Sequence, residues 1–438
     1  MIVVNHKTQQ VSPLFPKTVR VLSSHNRPSP DRRWRIVLYS HDTMGLGHKR
    51  RNLLIAQTLG ASALNADILL ISGMRDASDV PLPDGVDSLT LPALYKGADG
   101  TYEARHLGLT LEEVIRLRSQ LILTAIQGFQ PDLLIVDNVP RGAGRELDAT
   151  LEYVRLENLR SRESLQTPMR CVLGLRDILD TPANVHRDWH RAHNIDAIRH
   201  YYDAVWVYGD PNIYDLRREY CFPSDITAKI RPLGYLDQRA RLNYVNSNAQ
   251  TNLERLTLPT DDELVLCVVG GGQDGAALAE AFVQATLPTK ATGVLLTGPF
   301  MPAEVQKRLY AQAEQNPKLQ IIDYLEEPTL LIERASRLIA MGGYNTTCEI
   351  LSFQKPALIV PRVTPRLEQW IRAEHLQQRG LVDILHPEAV SAEALSHWLQ
   401  QPMASQRDPA INLNGLDNLL IELQRQLRGT PMLLPQVS

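Results

Sequence analysis

Three times in this chain an apolar run of strand length ends near glycine and passes into helical patterning. Arg35 to Ser40 leads through His41-Asp42-Thr43-Met44-Gly45-Leu46-Gly47-His48 into a helix from Lys49 to Leu59, ended by Gly60. Leu264 to Val269 leads through Gly270-Gly271-Gly272-Gln273-Asp274-Gly275 into an alanine-rich helix from Ala276 to Ala285. Leu338 to Met341 leads through Gly342-Gly343 and Tyr344-Asn345-Thr346-Thr347 into a helix carrying Glu349. A continuous apolar run has no polar face to turn to water, so such strands belong in a parallel sheet covered on both sides. Glycine at a strand end lets backbone come close to a ligand, and the following helix offers unpaired N–H groups and the positive end of its dipole. The pattern suits an anion, phosphate above all. One such turn is equally well explained by tight packing, but three successive glycines at 270–272 favour a diphosphate cradle.

The 438 residues exceed what one hydrophobic core usually serves and predict two domains of about 200 residues each. A net charge of −3 gives no reason to expect nucleic acid as a partner. No apolar run reaches the roughly 18 residues of a membrane span, and the N-terminus lacks a secretory apolar core. A cytoplasmic protein is expected, with the inner face of the membrane as an alternative placement. Cys171, Cys221, Cys267 and Cys348 form no C-x-x-C pair, which argues against zinc and disulfides and predicts reduced, buried thiols.

Taken in order, residues 1–34 form a flexible basic tail, since residues 1–35 hold seven Lys or Arg against one Asp. The same composition also suits a transit peptide or peripheral contact with an anionic membrane. Residues 35–236 read as the first α/β domain, with further strands at Ile68 to Ser72, Leu89 to Pro92, Asp132 to Asp137, Cys171 to Leu175, Ala204 to Tyr208 and Ile230 to Leu233. Apolar positions at helical spacing predict a helix from Leu111 to Phe129. Residues 237–261, rich in Asn, Gln, Thr and Arg, read as a linker. A second α/β domain follows at 262–404, and 405–438 ends in a helix from Gly415 to Arg428 that returns towards the first domain. Strands alternating with helices predict two doubly wound parallel sheets. Open sheets of this kind bind ligands at the carboxyl ends of their strands, which places Asp137 and the loop Pro140 to Arg145 at the cleft. His186, His190 and His193 share a helical face. Arg187 and Arg191 beside them oppose a cation, so the face is read as solvated and no metal site is expected.

On these residues, the stretch from about 262 to 400 resembles the donor-binding half of GT-B glycosyltransferases, and most closely glycosyltransferase family 28, the peptidoglycan N-acetylglucosaminyltransferase type. Gly270-Gly271-Gly272-Gln273 is similar to the family's Gly-Gly-Ser-Gln loop at the donor diphosphate. Ile322-Asp323-Tyr324-Leu325 is similar to the stretch bordering the nucleotide base, and Gly343 to Ile350 to the Gly-x-x-Thr-x-x-Glu element. Glu368-Gln369 sits where the family has a polar pair reading the sugar. In the first half only Ser40 to Leu59 resembles the family, through Gly45-Leu46-Gly47-His48.

The resemblance implies a GT-B fold, two Rossmann-like domains facing across a cleft. It also implies transfer of a hexose or N-acetylhexosamine, with inversion, from a nucleotide-diphosphate sugar, UDP-linked by preference, to an acceptor that the sequence does not name: lipid, glycan or small molecule. His48 would be the general base, as an imidazole titrates near working pH, with Asp42 and Asp137 as partners. Donor contacts would come from Gly45, Gly47, Gly270, Gly271, Gly272, Gln273, Tyr324, Leu325, Gly342, Gly343, Asn345, Thr346, Thr347, Glu349, Glu368 and Gln369. Glu349 would take the ribose hydroxyls and Glu368-Gln369 the sugar. Glu368 departs from the Gln-Gln of the peptidoglycan enzyme, which leaves the sugar open. No cofactor is expected and, without any D-x-D motif, no metal; backbone N–H groups would stabilise the leaving diphosphate. A hydrolysis-free nucleotide-sugar epimerase and a non-catalytic sugar-nucleotide-binding protein remain as alternatives. A nicotinamide dehydrogenase is disfavoured because no glycine loop spells G-x-G-x-x-G with a ribose-binding acid about 20 residues on.

Overall fold

The structure is a computed structural model that describes residues 32–42, 47–73, 82–96, 101–163, 167–254, 263–402 and 411–428. The basic tail up to residue 31 and the loop residues 43–46, Gly45 among them, lie outside the described residues. Strands β1 (Trp34–Ser40), β2 (Ala66–Ser72), β3 (Val86–Thr90), β4 (Leu94–Lys96), β5 (Tyr102–Ala104), β6 (Leu133–Asp137), β7 (Arg170–Arg176), β8 (Ala204–Tyr208) and β9 (Ile230–Pro232) belong to the first half. Seven of them form one sheet in the order β3-β2-β1-β6-β7-β8-β9. Every pairing in it is parallel.

The second half repeats the plan with β10 (Glu263–Val268), β11 (Ala291–Leu296), β12 (Leu319–Ile322), β13 (Arg337–Ala340), β14 (Ala357–Ile359) and β15 (Asp383–Ile384). Their order is β12-β11-β10-β13-β14-β15, again parallel throughout. Most apolar runs read from the sequence are buried strands, β6, β8 and β13 along their whole length, but the run at Leu89 to Pro92 meets only the end of β3, which is largely exposed. The antiparallel β4–β5 hairpin and the short β15 carry too few residues to show periodicity and were not predicted.

Several contacts join the two halves. Residues 238–244 and 247–254 are helical, and Arg241 from this stretch is buried against Glu327 of the second half, Nη2 to Oε2 2.7 Å. Helix Gly415–Arg428 buries Leu416, Leu419, Leu423 and Leu427, spaced three and four apart on one face. These leucines belong to one buried cluster with Leu54, Leu236, Leu266 and Tyr344, so a single apolar body spans both sheets. Asn418 Nδ2 donates to the carbonyl of Leu233 at 2.6 Å, tying the same helix to the first half. Cys171, Cys267 and Cys348 are buried free thiols, but Cys221 is exposed, contrary to expectation, because it follows the short surface helix Leu216–Glu219 with φ 45°. Among the described residues no helix is long and apolar enough to cross a membrane.

A fully buried ion pair fixes how the halves meet. Asp177, just beyond β7, accepts from Arg372 of the helix Glu368–Gln377, with Nη2 to Oδ1 at 2.7 Å and Nε to Oδ2 at 2.8 Å. Tyr235 donates to the same carboxylate at 3.1 Å, and Arg372 Nη1 donates to the carbonyl of Gly342 at 3.1 Å. Removing one partner leaves a buried charge uncompensated, so Asp177→Asn is expected to cost about 3–5 kcal/mol in chemical denaturation. The double variant Asp177→Asn/Arg372→Met is expected to recover much of it. A loss well under about 1 kcal/mol for the single variant would show that the pair does not hold the interface.

Candidate active site

In each sheet the strand order reverses once, between β1 and β6 and between β10 and β13. Such a switch point opens a crevice at the carboxyl ends of the two central strands. The crevices face each other across one cleft of about 1180 Å³, counting its open mouth. Gly47, His48, Arg50, Arg51 and Arg176 line it from the first half; Gly270, Gly271, Tyr324, Leu325, Gly343, Asn345, Thr346 and Glu349 line it from the second.

On the first side, His48 stands in the opening turn of helix Gly47–Ala61, directly over the end of β6. Its Nδ1 lies 2.6 Å from Asp137 Oδ2. Arg51, one turn on, contacts both oxygens of Asp137 through Nη2 at 2.6 and 2.7 Å. Burial opposes ionisation of Asp137, but the Arg51 guanidinium and the His48 ring outweigh it and hold the carboxyl well below the usual carboxylate range. A permanent carboxylate only accepts, which places a proton on Nδ1, although Arg51 Nη2 also stands 3.0 Å from that nitrogen. Asp42 is placed differently. It is buried with φ 36°, its Oδ2 accepts from Ser40 and Ser72 at 2.5 and 2.8 Å, and it is not among the residues lining the cleft.

On the second side, the loop after β10 depends on two left-handed glycines. A Cβ on Gly272, at φ 90°, would meet the Thr297 carbonyl at 2.3 Å, whereas Gly270, at φ 65°, has open space where its Cβ would stand. The first fixes the loop and the second leaves it bare to the cleft. Helix Tyr344–Ser352 starts at Gly343, which provides no side-chain cap. The amides of Tyr344, Asn345 and Thr346 therefore have no acceptor within the helix, and these residues line the cleft. Asn345 Nδ2 also donates across the cleft to the carbonyl of Gly47 at 2.9 Å.

Glu349 lies on the second turn of that helix, only 2 % exposed, and is met by an arginine from the other half. Arg50 Nη2 stands 3.1 Å from Glu349 Oε1 and 3.0 Å from Glu327 Oε1. Burial pushes the Glu349 carboxyl above the ordinary glutamate range, which Arg50 and Arg241 only partly offset. Burial resists ionisation of Glu327 too, but Arg241 and Arg50 together outweigh it and bring its carboxyl down to about 2. Two carboxylates sharing one arginine thus differ in their other donors, since Arg241 and Thr329 bond Glu327 and not Glu349.

Residues 265–410 match the family model described as the glycosyltransferase family 28 C-terminal domain. This span resembles that domain. A curated relative, UDP-N-acetylglucosamine–N-acetylmuramyl-(pentapeptide) pyrophosphoryl-undecaprenol N-acetylglucosamine transferase from Streptococcus thermophilus, is 25% identical over 182 residues. That match covers 41% of this chain and 48% of the relative, so the chain spans about half the length of the curated relatives it matches. Among solved structures, UDP-GlcNAc 2-epimerase from Methanocaldococcus jannaschii is similar at a TM-score of 0.54 and 14% identity, covering 90% of this chain and 99% of that one. The glycosyltransferase of kitacinnamycin is similar at 0.54 and 14%, covering 91% and 96%. At these identities the likeness establishes the fold: GT-B, with two Rossmann-like domains.

Within this matched span, several sequence-predicted residues stand back from the cleft lining. Gly272 and Thr347 are buried, Gln273 is exposed, and Gly342 packs against Ile359 and Gln369. Glu368 and Gln369 open helix Glu368–Gln377; Gln369 Oε1 accepts from the Arg362 amide at 3.0 Å, and Glu368 Oε1 lies 3.5 Å from Arg362 Nη2. Glu368 Oε2 is buried without a partner. The sequence reading missed the arginines Arg50, Arg51, Arg176, Arg241 and Arg372 and their acids Asp177 and Glu327. Charged residues directly after a strand run or its glycine loop were the available signal, as at Arg176-Asp177 and at Lys49-Arg50-Arg51. Because the native Glu327 carboxyl titrates below its unfolded value near about 4.3, its stabilisation is present above that value and is lost as pH falls through about 2. Acid titration of the wild type against Glu327→Gln checks this. The wild type is expected to lose that increment over this window, and equal acid sensitivity of the two would contradict it.

Proposed function

We propose that this protein is an inverting, metal-independent glycosyltransferase that moves a hexose or N-acetylhexosamine from a UDP-linked donor to an acceptor hydroxyl. The observation that carries the reading is one cleft flanked by the His48–Asp137 pair on one side and an uncapped helix N-terminus of a family 28 domain on the other. In this reading the acceptor oxygen attacks the anomeric carbon while its proton passes to His48 Nε2. Asp137 stabilises the imidazolium that forms. The bond from the anomeric carbon to the distal phosphate breaks with its electron pair moving to the phosphate oxygen. The Gly270–Gly271 loop and the amides of Tyr344 to Thr346 receive that charge without reorganising. Glu349 accepts from the ribose hydroxyls, Tyr324 and Leu325 border the base, and Glu368 with Gln369 reads the sugar. The donor named for the Streptococcus relative supports the choice of UDP and of an N-acetylhexosamine. Its undecaprenol-linked acceptor makes a lipid-linked hydroxyl, met at a membrane face, the first acceptor class to try. The alternatives, an epimerase and a binding protein without turnover, would use the same donor contacts.

A screen of UDP-, GDP- and dTDP-sugars by thermal shift, followed by nucleotide release with acceptor libraries and chelator present, tests the reading. One donor is expected to stabilise the protein. Glu349→Ala is expected to abolish that shift, and His48→Ala to keep it while lowering turnover by about a hundred- to ten-thousand-fold. Interconversion of the sugar nucleotide with no acceptor consumed would establish the epimerase instead. No stabilisation by any sugar nucleotide would defeat the reading, and loss of turnover with chelator would defeat metal independence.

A further inference from the structure

Positive charge in and around this cleft is almost entirely spoken for. Arg51 is held by Asp137, Arg50 by Glu349 and Glu327, Arg241 by Glu327, and Arg372 by Asp177. Arg176, the last residue of β7, differs. It lines the cleft, its Nε is shielded from solvent with no hydrogen-bond partner, and no carboxylate of the described residues comes within ion-pair distance of it. A guanidinium cannot shed its proton to escape this position, so the cleft holds a cation with no carboxylate partner among the described residues. Burial dominates its electrostatics, and the strongest opposite charge acting on it is Glu368, whose Oε2 is itself buried and unpartnered.

Arg176 on the cleft and Glu368 Oε2, which stands back from its lining, are two unsatisfied groups of opposite kind that share a definite chemical complement. The filler must offer a hydroxyl to Glu368 and an anionic oxygen to Arg176. In a sugar nucleotide the sugar is bonded directly to the distal phosphate, so hydroxyls and phosphate oxygens lie a few bonds apart. Resting on the glycosyltransferase reading above, we infer that Arg176 is a catalytic residue that binds the distal phosphate of the donor and neutralises the charge it gains as the sugar leaves. Its fork reaches phosphate from the first domain, opposite the helix N-terminus of the second, so the leaving group is held from both sides. A side chain that is a cost to the empty protein is then retained for its ligand.

The test compares UDP with UMP by calorimetric binding and thermal shift in wild type, Arg176→Gln and Arg176→Lys. Wild type is expected to prefer UDP strongly, and Arg176→Gln to lose about 10- to 100-fold of that preference while UMP binding stays nearly constant. Arg176→Lys is expected to keep part of it, as charge without the fork. Removing an unpaired cation is expected to leave the melting temperature of the empty protein unchanged or raised, which a structural arginine would not do. An unchanged UDP-to-UMP ratio in Arg176→Gln overturns the inference, as does a marked fall in melting temperature with equal loss of both ligands. Loss confined to donors bearing a sugar carboxylate also overturns it and assigns Arg176 to the sugar. If wild type binds neither UDP nor UMP, the failure lies with the glycosyltransferase reading itself.

Discussion

The Asp177–Arg372 pair is the contact on which the geometry of the cleft depends. Each side chain is 1 % exposed, and they come from opposite halves, one from the end of β7 and one from helix Glu368–Gln377. A buried ion pair is a poor source of net stability, because desolvation of both ions offsets most of their attraction. What it provides here is register. A guanidinium fork that meets a carboxylate through Nε and Nη2, and at the same time donates to the Gly342 carbonyl, tolerates little sliding between the domains. Gly342 precedes the helix carrying Glu349, and Arg372 is one turn from Glu368, so one interaction aligns the starts of both helices of the second domain against β7.

The pairs nearer solvent have a different consequence. Arg50 and His48 share the first turns of helix Gly47–Ala61, one facing Glu349 and the other Asp137. A ribose that takes Glu349 competes with Arg50 for the same carboxylate. Arg50 need not be lost to solvent, since Glu327 accepts from the same nitrogen. In the proposed reading, a ligand at Glu349 would therefore be felt on the helix that carries His48, through two residues rather than through a long chain of contacts.

Much of the architecture could be read from the sequence because its strands are buried on both faces. Ala204 to Tyr208 and Gly415 to Arg428 fall where expected to the residue, and the glycine turns mark both switch points. Periodicity was silent where packing decides the outcome. Residues 238–254 looked polar and linker-like, yet Gln238 and Arg241 are buried, because an arginine is accommodated inside when a carboxylate from another domain meets it. In the site, the positions of His48, Asp137 and Glu349 at strand and helix ends were legible; their partners were not. Arg51 and Asp137 are 86 residues apart, and Asp177 and Arg372 are 195 apart, and no local pattern encodes such pairings.

Charge satisfaction separates the groups that build the cleft from those that wait in it. Arg51, Arg372 and Arg241 each spend their donors on a buried acid, and such groups have little left for a ligand. Gly270, the uncapped helix at Gly343, Glu368 Oε2 and Arg176 are all left with open space or unmet bonding capacity. These four come from separate loops, helices and both sheets, yet each belongs to the ends of strands β7, β10, β13 and β14 or the elements that follow them. Incomplete bonding in a folded interior is costly at any single position. Where the two switch points face each other, these unmet groups suit the ligand of the proposed reading, anionic at one end and hydroxylated at the other.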